Sequence, residues 1–218
     1  MLRRFFPRRD VRTSEGSTSA TGPISISPPA PRPAPHHLCS FAGRTILRPV
    51  ECQSLFDYLR DETGIPWRTR VHGCWDRAHA MVSFIHQTGL TCNKAWLISG
   101  LRLGKGGVGL TPEINGERLQ RGDWNAHVAP FVTVELTSAV FENWVLDPVV
   151  SRKAPLEITD WKDRMQDREC HMFYTGPHIY HLGWSLQKGE PKLVEEGHRY
   201  DYTLSKSVGG LRKLASGE

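Results

Sequence analysis

Residues 73–89 read GCWDRAHAMVSFIHQTG, the pattern of an amphipathic helix that begins at a cysteine. Apolar side chains recur at spacings of three and four residues, which predicts one buried stripe formed by Ala78, Met81, Val82 and Ile85. Glycine follows the pattern at position 89, where it is expected to end the helix. The cysteine is therefore either a small buried apolar residue or a thiol held where it can react.

Outward from this helix, the chain predicts helices first and strands later, an α+β order. A second helix is expected over 49–64, with Leu55, Phe56 and Leu59 on one side. Alternating or apolar runs predict strands at 93–103, 126–136 and 142–148, with further short strands at 172–176, 178–184 and 198–205. Residues 104–125 carry several glycines and read as a long loop.

The first 40 residues differ in composition from the rest of the 218-residue chain. Residues 1–37 hold seven of the 15 prolines and six arginines against two acidic residues, so the remainder is nearly neutral. We expect a disordered leader at 1–40 and one domain at 41–218. The net charge of +5 lies mostly in the leader, so it does not indicate nucleic-acid binding by the domain. No apolar run reaches the ~20 residues that a membrane-spanning helix needs.

Five cysteines, at 39, 52, 74, 92 and 170, occur without a CxxC pair. An odd number at irregular spacing argues against a disulfide framework and against a zinc ribbon or finger. We expect a compartment that keeps thiols reduced.

A reactive thiol at Cys74 would need a base, and the base would need an acceptor that orients it. His79 is the nearest histidine, but five residues along a helix place it about 140° around the axis from Cys74. A packing or supporting role is expected for His79. His127 begins one predicted strand and Asp147 ends the next, so these two residues are the alternative partners.

A hairpin centred on Thr137 would place His127 opposite Asp147, with Cβ atoms about 4.5–5.5 Å apart. The same register puts apolar residues on one face, namely Val132, Val134, Trp144 and Leu146. Each of the three candidate residues alone has an ordinary structural explanation: a buried cysteine, a surface or core histidine, and an Asp-Pro turn. Together they favour catalysis, because a helix N-terminus and a nearby imidazolium both stabilise a thiolate.

Three motifs in this order, GCWDRAHAM, HVAP and VLDP, resemble the protein-glutaminase family of protein-glutamine deamidases. The segments IPWRTRVHGC and NKAWLISG and the tryptophan at 161 are also similar, so the resemblance covers about residues 50–165. It implies a papain-like core with the catalytic cysteine at a helix N-terminus, packed on an antiparallel β-sheet. By this resemblance Cys74 is the nucleophile, His127 the general acid and base, and Asp147 its orienting group.

The resemblance implies hydrolysis of a glutamine side-chain amide in a partner protein, through a thioester at Cys74 and without metal or organic cofactor. The backbone N–H of Cys74 would stabilise the oxyanion. A cysteine protease or a transglutaminase would use the same triad, and a non-catalytic interaction module would use these residues only structurally. Both alternatives stay open at this point.

The N-terminus begins with charged residues but lacks the apolar segment of a signal peptide. Similar deamidase domains occur in effector toxins of pathogenic bacteria, which are delivered into a host cell. We therefore expect secretion or delivery into a reducing host cytosol, without stable membrane association and with a secretion chaperone as a candidate partner.

Overall fold

The architecture is a central β-sheet with helices packed on both of its faces. The computed structural model describes residues 43–67, 73–100, 102–105, 109–114, 117–118, 124–179, 184–187 and 190–193. The helices are α1 (Pro49–Asp61), α2 (Cys74–Gln87) and α3 (Ile158–Asp163). The strands are β1 (Ile46–Leu47), β2 (Asn93–Ile98), β3 (Glu113–Ile114), β4 (Glu117–Arg118), β5 (Ala126–Thr137), β6 (Val140–Val145), β7 (Leu156–Glu157), β8 (His171–Thr175), β9 (Trp184–Gln187) and β10 (Glu190–Leu193).

Over the described residues the main sheet has six strands, and it confirms the α+β fold class. Five of them run in the order β7-β6-β5-β2-β8, each antiparallel to its neighbours, while β1 pairs with β5 in parallel. The other four strands form two separate two-stranded hairpins, β3-β4 and β9-β10. The long strand β5 therefore connects most of the fold, because it pairs with β1, β2 and β6.

Helices α1 and α2 begin and end close to the predicted positions. Gly64 and Gly89 follow them with φ angles of +69° and +82°, in the left-handed region that glycine adopts without strain. The predicted apolar stripe of α2 is buried: Ala78, Met81, Val82 and Ile85 are each at most 4% exposed. Helix α2 is thus packed against the core along most of its length, and its first residue, Cys74, lies at the edge of the core.

The two faces of β5 have different cores. Val132 and Val134 pack in one cluster with α1 and α2, whereas Ala129 and Phe131 pack in another with α3. This is the alternation that a strand buried on both faces requires. Since His127 is an odd-numbered residue of the same strand, it lies on the α3 face.

The predicted register of the β5-β6 hairpin is wrong by two residues. Val132 pairs with Trp144, whereas a hairpin centred on Thr137 would pair it with Glu142. The ladder is irregular between Glu135 and Thr137, so an extra residue is accommodated next to the turn. A two-residue shift leaves every side chain on its original face, and the predicted apolar face, including Val132 and Trp144, is therefore retained.

Smaller differences concern the loops. The predicted loop 104–125 contains the short hairpin β3-β4, and the sequence did not predict the strands β1, β7 and β10 or the helix α3. Of the predicted strand 178–184, residues 178 and 179 are not in a strand, and β9 begins at 184. The predicted strand at 198–205 and the leader at 1–40 lie outside the described residues. Within the described residues, no helix has the length and apolar character that crossing a membrane requires.

Candidate active site

Cys74 is the first residue of α2 and carries a free, half-buried thiol. Gly73 precedes it with a φ angle of +76°, a conformation that allows the chain to enter the helix from a sharp turn. The first helical hydrogen bond runs from the Arg77 N–H to the Gly73 carbonyl at 2.9 Å. The N–H of Cys74 therefore has no acceptor within its own helix and is available to an oxyanion at the thiol.

His127 lies near the start of β5 and is 2% exposed. Its Nε2 hydrogen donates to Asp147 Oδ2, with 2.7 Å between the heavy atoms. Two indole rings flank the imidazole: the centroid of Trp124 is 4.5 Å away and that of Trp161 is 5.7 Å away. Packing and the carboxylate together fix both the orientation of the ring and the nitrogen that faces Asp147.

Asp147 is 3% exposed and receives hydrogen bonds from donors on every side. Besides His127, the indole Nε1 of Trp161 donates to Oδ2 at 2.9 Å. The backbone N–H groups of Val149 and Val150 donate to Oδ1 at 3.1 and 3.4 Å. These backbone bonds arise from the turn that follows the end of β6, and they direct the carboxylate toward His127 despite the shifted register.

The charges of this site favour a protonated imidazole. Burial lowers the pKa of His127, but the Asp147 carboxylate and the Cys74 thiol act in the opposite direction and hold it at about 9. Burial raises the pKa of Asp147, but the charge and hydrogen bond of His127, with the Trp161 bond, outweigh this and lower it. A histidine and an aspartate that are both almost fully buried are therefore compatible as an ion pair.

Nδ1 is the imidazole nitrogen that remains for Cys74. It is buried and forms no hydrogen bond of ordinary geometry with the described residues. The Cys74 thiol is nevertheless close enough to raise the pKa of His127. An interaction looser than a regular hydrogen bond is common in enzymes without bound substrate.

Arg77 places a cation in the same region. It follows Cys74 by three residues, so both side chains lie on one side of α2, and it is 1% exposed. Burial lowers the pKa of Arg77, and the charges of Cys74, Asp147 and Asp76 oppose this effect. The guanidinium remains charged in any case.

The other cysteines in the described part of the chain differ from Cys74. Cys52, Cys92 and Cys170 are all buried and free. Burial raises the pKa of the Cys52 and Cys92 thiols to about 12 and that of Cys170 to about 11. Within the described residues, no group of three histidine, cysteine or acidic side chains is placed to hold a metal ion.

Two features of the site were missed by the sequence reasoning. Trp124 stacks on His127 from three positions upstream, and nothing in a lone Trp-x-x-His spacing predicts this contact. Arg77 was visible as a cation one turn after Cys74, which the helical spacing alone would have placed beside the thiol. His79, expected in a supporting role, is buried and lies 3.2 Å from the amine of Lys94.

A half-buried thiol at a helix N-terminus, beside an imidazole that a carboxylate orients, is the arrangement of enzymes that transfer acyl groups through a thioester. The sequence model of a family described as glutaminase matches residues 52–165, just over half of the 218-residue chain. The chain therefore belongs to the protein-glutaminase family. No curated protein sequence matches it.

Solved structures of protein-glutaminases share the fold. The NMR structure of protein-glutaminase from Chryseobacterium proteolyticum is 21% identical and has a TM-score of 0.59, covering 79% of this chain and 90% of that chain. A crystal structure of protein-glutaminase is 19% identical, with a TM-score of 0.57 and the same coverage. A crystal structure of pro-protein-glutaminase is 20% identical with a TM-score of 0.59, and the match covers 79% of this chain but 59% of that longer one.

Proposed function

We propose that this enzyme hydrolyses the side-chain amide of glutamine residues in a partner protein, giving glutamate and ammonia, with Cys74, His127 and Asp147 as its catalytic triad. The observation that carries the proposal is the buried His127–Asp147 pair, 2.7 Å between heavy atoms, with the Cys74 thiol acting on the same ring. Membership of the protein-glutaminase family supports the choice of amide.

In the first half of the reaction, the Cys74 thiolate attacks the carboxamide carbon of the glutamine. The negative charge that develops on the oxygen is stabilised by the N–H of Cys74 at the start of α2. His127, protonated, gives its Nδ1 proton to the amide nitrogen, and the C–N bond breaks to release ammonia. A γ-glutamyl thioester on Cys74 remains.

In the second half, neutral His127 removes a proton from water at the same Nδ1, and the resulting hydroxide attacks the thioester carbon. The C–S bond breaks, glutamate leaves, and the Cys74 thiolate and His127 imidazolium are restored. Asp147 exchanges no proton in either step. It holds Nε2–H, so that Nδ1 is the nitrogen that exchanges protons in both steps.

The test is ammonia release from casein by the wild-type enzyme and by Cys74→Ala, with circular dichroism of both proteins. The variant should fold and release no ammonia. Mass spectrometry of the casein should find glutamate in place of glutamine. Chain cleavage instead would identify a protease, and incorporation of an added amine a transglutaminase. Wild-type ammonia release by a folded Cys74→Ala protein would end the proposal.

A role in delivery is proposed for residues 1–40 on the basis of their proline- and arginine-rich composition. The enzyme would then act as a bacterial effector in the cytosol of a host cell. Deletion of residues 1–40 should leave ammonia release unchanged and abolish delivery in a translocation assay. A folded truncation that has lost catalysis would contradict this role.

A further inference from the structure

Lys94 is a buried amine in the middle of the fold. It is the second residue of β2 and is 1% exposed. Its Nζ donates to the carbonyl oxygen of Ile179 at 2.7 Å and lies 3.2 Å from Nδ1 of His79. No carboxylate in the described part of the chain forms an ion pair with it.

This amine is costly for stability. Burial lowers the pKa of Lys94 to about 7, and Cys92 opposes the effect only partly. In the described part of the chain, His79 and His86 of α2 also interact with it, and neither supplies a negative charge. An apolar residue at this position would avoid the desolvation of an amine. A residue that costs stability in a core is expected to serve a functional purpose.

The segment to which Lys94 bonds, residues 176–179, indicates this purpose. Residues 176–179 leave the end of β8 as an irregular segment, in which the backbone bond from the N–H of Ile179 to the carbonyl of Gly176 is long at 3.4 Å. The side chain of Ile179 packs against the same apolar cluster as Cys74, Trp75 and Ala126. The short bond from Lys94 is therefore the stronger tether of a segment whose Ile179 side chain joins the apolar cluster that Cys74 also contacts.

We propose that Lys94 is a positioning residue for the glutamine side chain, which it serves by fixing Ile179 as an apolar wall of the site around Cys74. The inference rests on the proposed function, in which Cys74 is the nucleophile. A glutamine side chain presents two methylene groups before its carboxamide. Half-buried apolar side chains such as Trp75 and Ile179 suit those methylenes, and a fixed wall would orient the carboxamide toward the sulfur.

The test is Lys94→Met, which keeps the length of the buried stem and removes the amine. Initial rates with a glutamine-containing peptide should show KM raised roughly tenfold and kcat changed little, because the chemistry of the triad is intact. Ile179→Ala should raise KM similarly. If Lys94 acts through Ile179, the double variant should show far less than the product of the two single effects.

Thr88→Val is the matched control. The Thr88 hydroxyl is also buried and donates to a carbonyl, that of Ile85 at 2.7 Å, but at the opposite end of α2 from Cys74. It should lower stability without changing KM. A folded Lys94→Met enzyme with the KM of the wild type overturns the positioning role, as does full additivity with Ile179→Ala.

Two further measurements decide the question if Lys94→Met does not fold. Lys94→Gln retains a shortened N–H donor and should show an intermediate KM; a folded Lys94→Gln enzyme with wild-type KM overturns the proposal. Hydrogen exchange on the wild-type enzyme should find the amide of Ile179 protected, and exchange at the rate of an unstructured peptide overturns it too. Activity in Cys74→Ala would instead refute the proposed function and leave the Lys94 tether itself intact.

Discussion

Replacing Asp147 by asparagine is the sharpest perturbation of the site, because every described group that bonds to this carboxylate is a donor. His127 Nε2–H and Trp161 Nε1–H reach Oδ2, and the N–H groups of Val149 and Val150 reach Oδ1. An asparagine amide has one oxygen and one NH₂ group. In either orientation its NH₂ meets donors, so the substitution breaks at least one set of these bonds although the shape is nearly unchanged.

The expected loss is large. Relief of the donor clash turns the imidazole so that Nδ1 no longer serves Cys74, and kcat should fall roughly 10³- to 10⁴-fold, as for the same change in a Ser-His-Asp triad. Removal of one partner from a buried ion pair should also cost about 3–5 kcal/mol of the free energy of unfolding.

The pH dependence of this stability loss follows from the two pKa shifts. His127 has a pKa raised from 6.5 to about 9, so its contribution is complete below pH 6.5 and disappears as the pH rises through 9. Asp147 has a pKa lowered from 3.8, so its contribution is present above pH 3.8 and is lost as the pH falls below that value. The stability deficit of Asp147→Asn should therefore be greatest between about pH 4 and 6.5 and should shrink toward pH 9.

The assay combines ammonia release with urea denaturation across this pH range. Asp167→Asn is the matched control, because Asp167 is also buried and accepts bonds from the N–H groups of Gly100 and Glu169. It should lose stability but keep kcat far closer to the wild-type value. Wild-type kcat in Asp147→Asn, or a stability deficit that is constant from pH 4 to 9, would refute the role given to the His127–Asp147 pair.

Three other outcomes are expected. In a Cys39→Ser background, iodoacetamide at neutral pH should label Cys74 before the other three cysteines. Burial raises the pKa values of Cys52, Cys92 and Cys170, so these thiols should react more slowly. Equal labelling of all four in the native protein would count against a reactive Cys74. Trp161→Phe keeps a ring against His127 but removes one donor to Asp147. Its kcat should fall roughly tenfold, a smaller loss than in Asp147→Asn. An unchanged kcat would show that the bond from Trp161 is dispensable. The pKa of Lys94 is lowered from 10.5 to about 7, so the unfolded chain binds more protons than the folded chain between these pH values. In denaturant titrations, the stability of the wild type relative to Lys94→Met should therefore rise from pH 7 to 10.5. A difference in stability that does not change with pH would contradict the buried amine.

The parts of this fold that the sequence predicts correctly depend on local patterns. Helix α2 is defined by apolar spacing and by the glycine that follows it, so both its ends and its buried stripe could be predicted. The pairing of His127 with Asp147 was also anticipated, although the register was wrong. A shift of two residues preserves the face of each side chain, and the turn after β6 brings the carboxylate back toward the imidazole.

The contacts that could not be predicted join residues far apart in the chain. Lys94 reads as an ordinary polar residue at the start of a strand, yet its amine bonds to Ile179, 85 positions later. The irregular step between Glu135 and Thr137 depends on how β5 pairs with β6 as a whole. Neither feature leaves a periodic or compositional signal, because each is decided by packing between elements.

The buried charges of Arg77 and Asp147 act in the same sense on the proposed proton transfer. Arg77 is one helical turn from the thiol, so its positive charge would stabilise the negative charge that the sulfur carries when it attacks the amide carbon. Asp147 bonds to the far nitrogen of His127, and a negative charge there favours the imidazolium. The two groups therefore act together: Asp147 stabilises the His127 imidazolium, and Arg77 places a positive charge near the sulfur that attacks in the proposed reaction. Asparagine at position 147 would remove the negative charge from this arrangement and with it one of the negative groups that act on Arg77, a second reason to expect that Asp147→Asn costs more than one hydrogen bond.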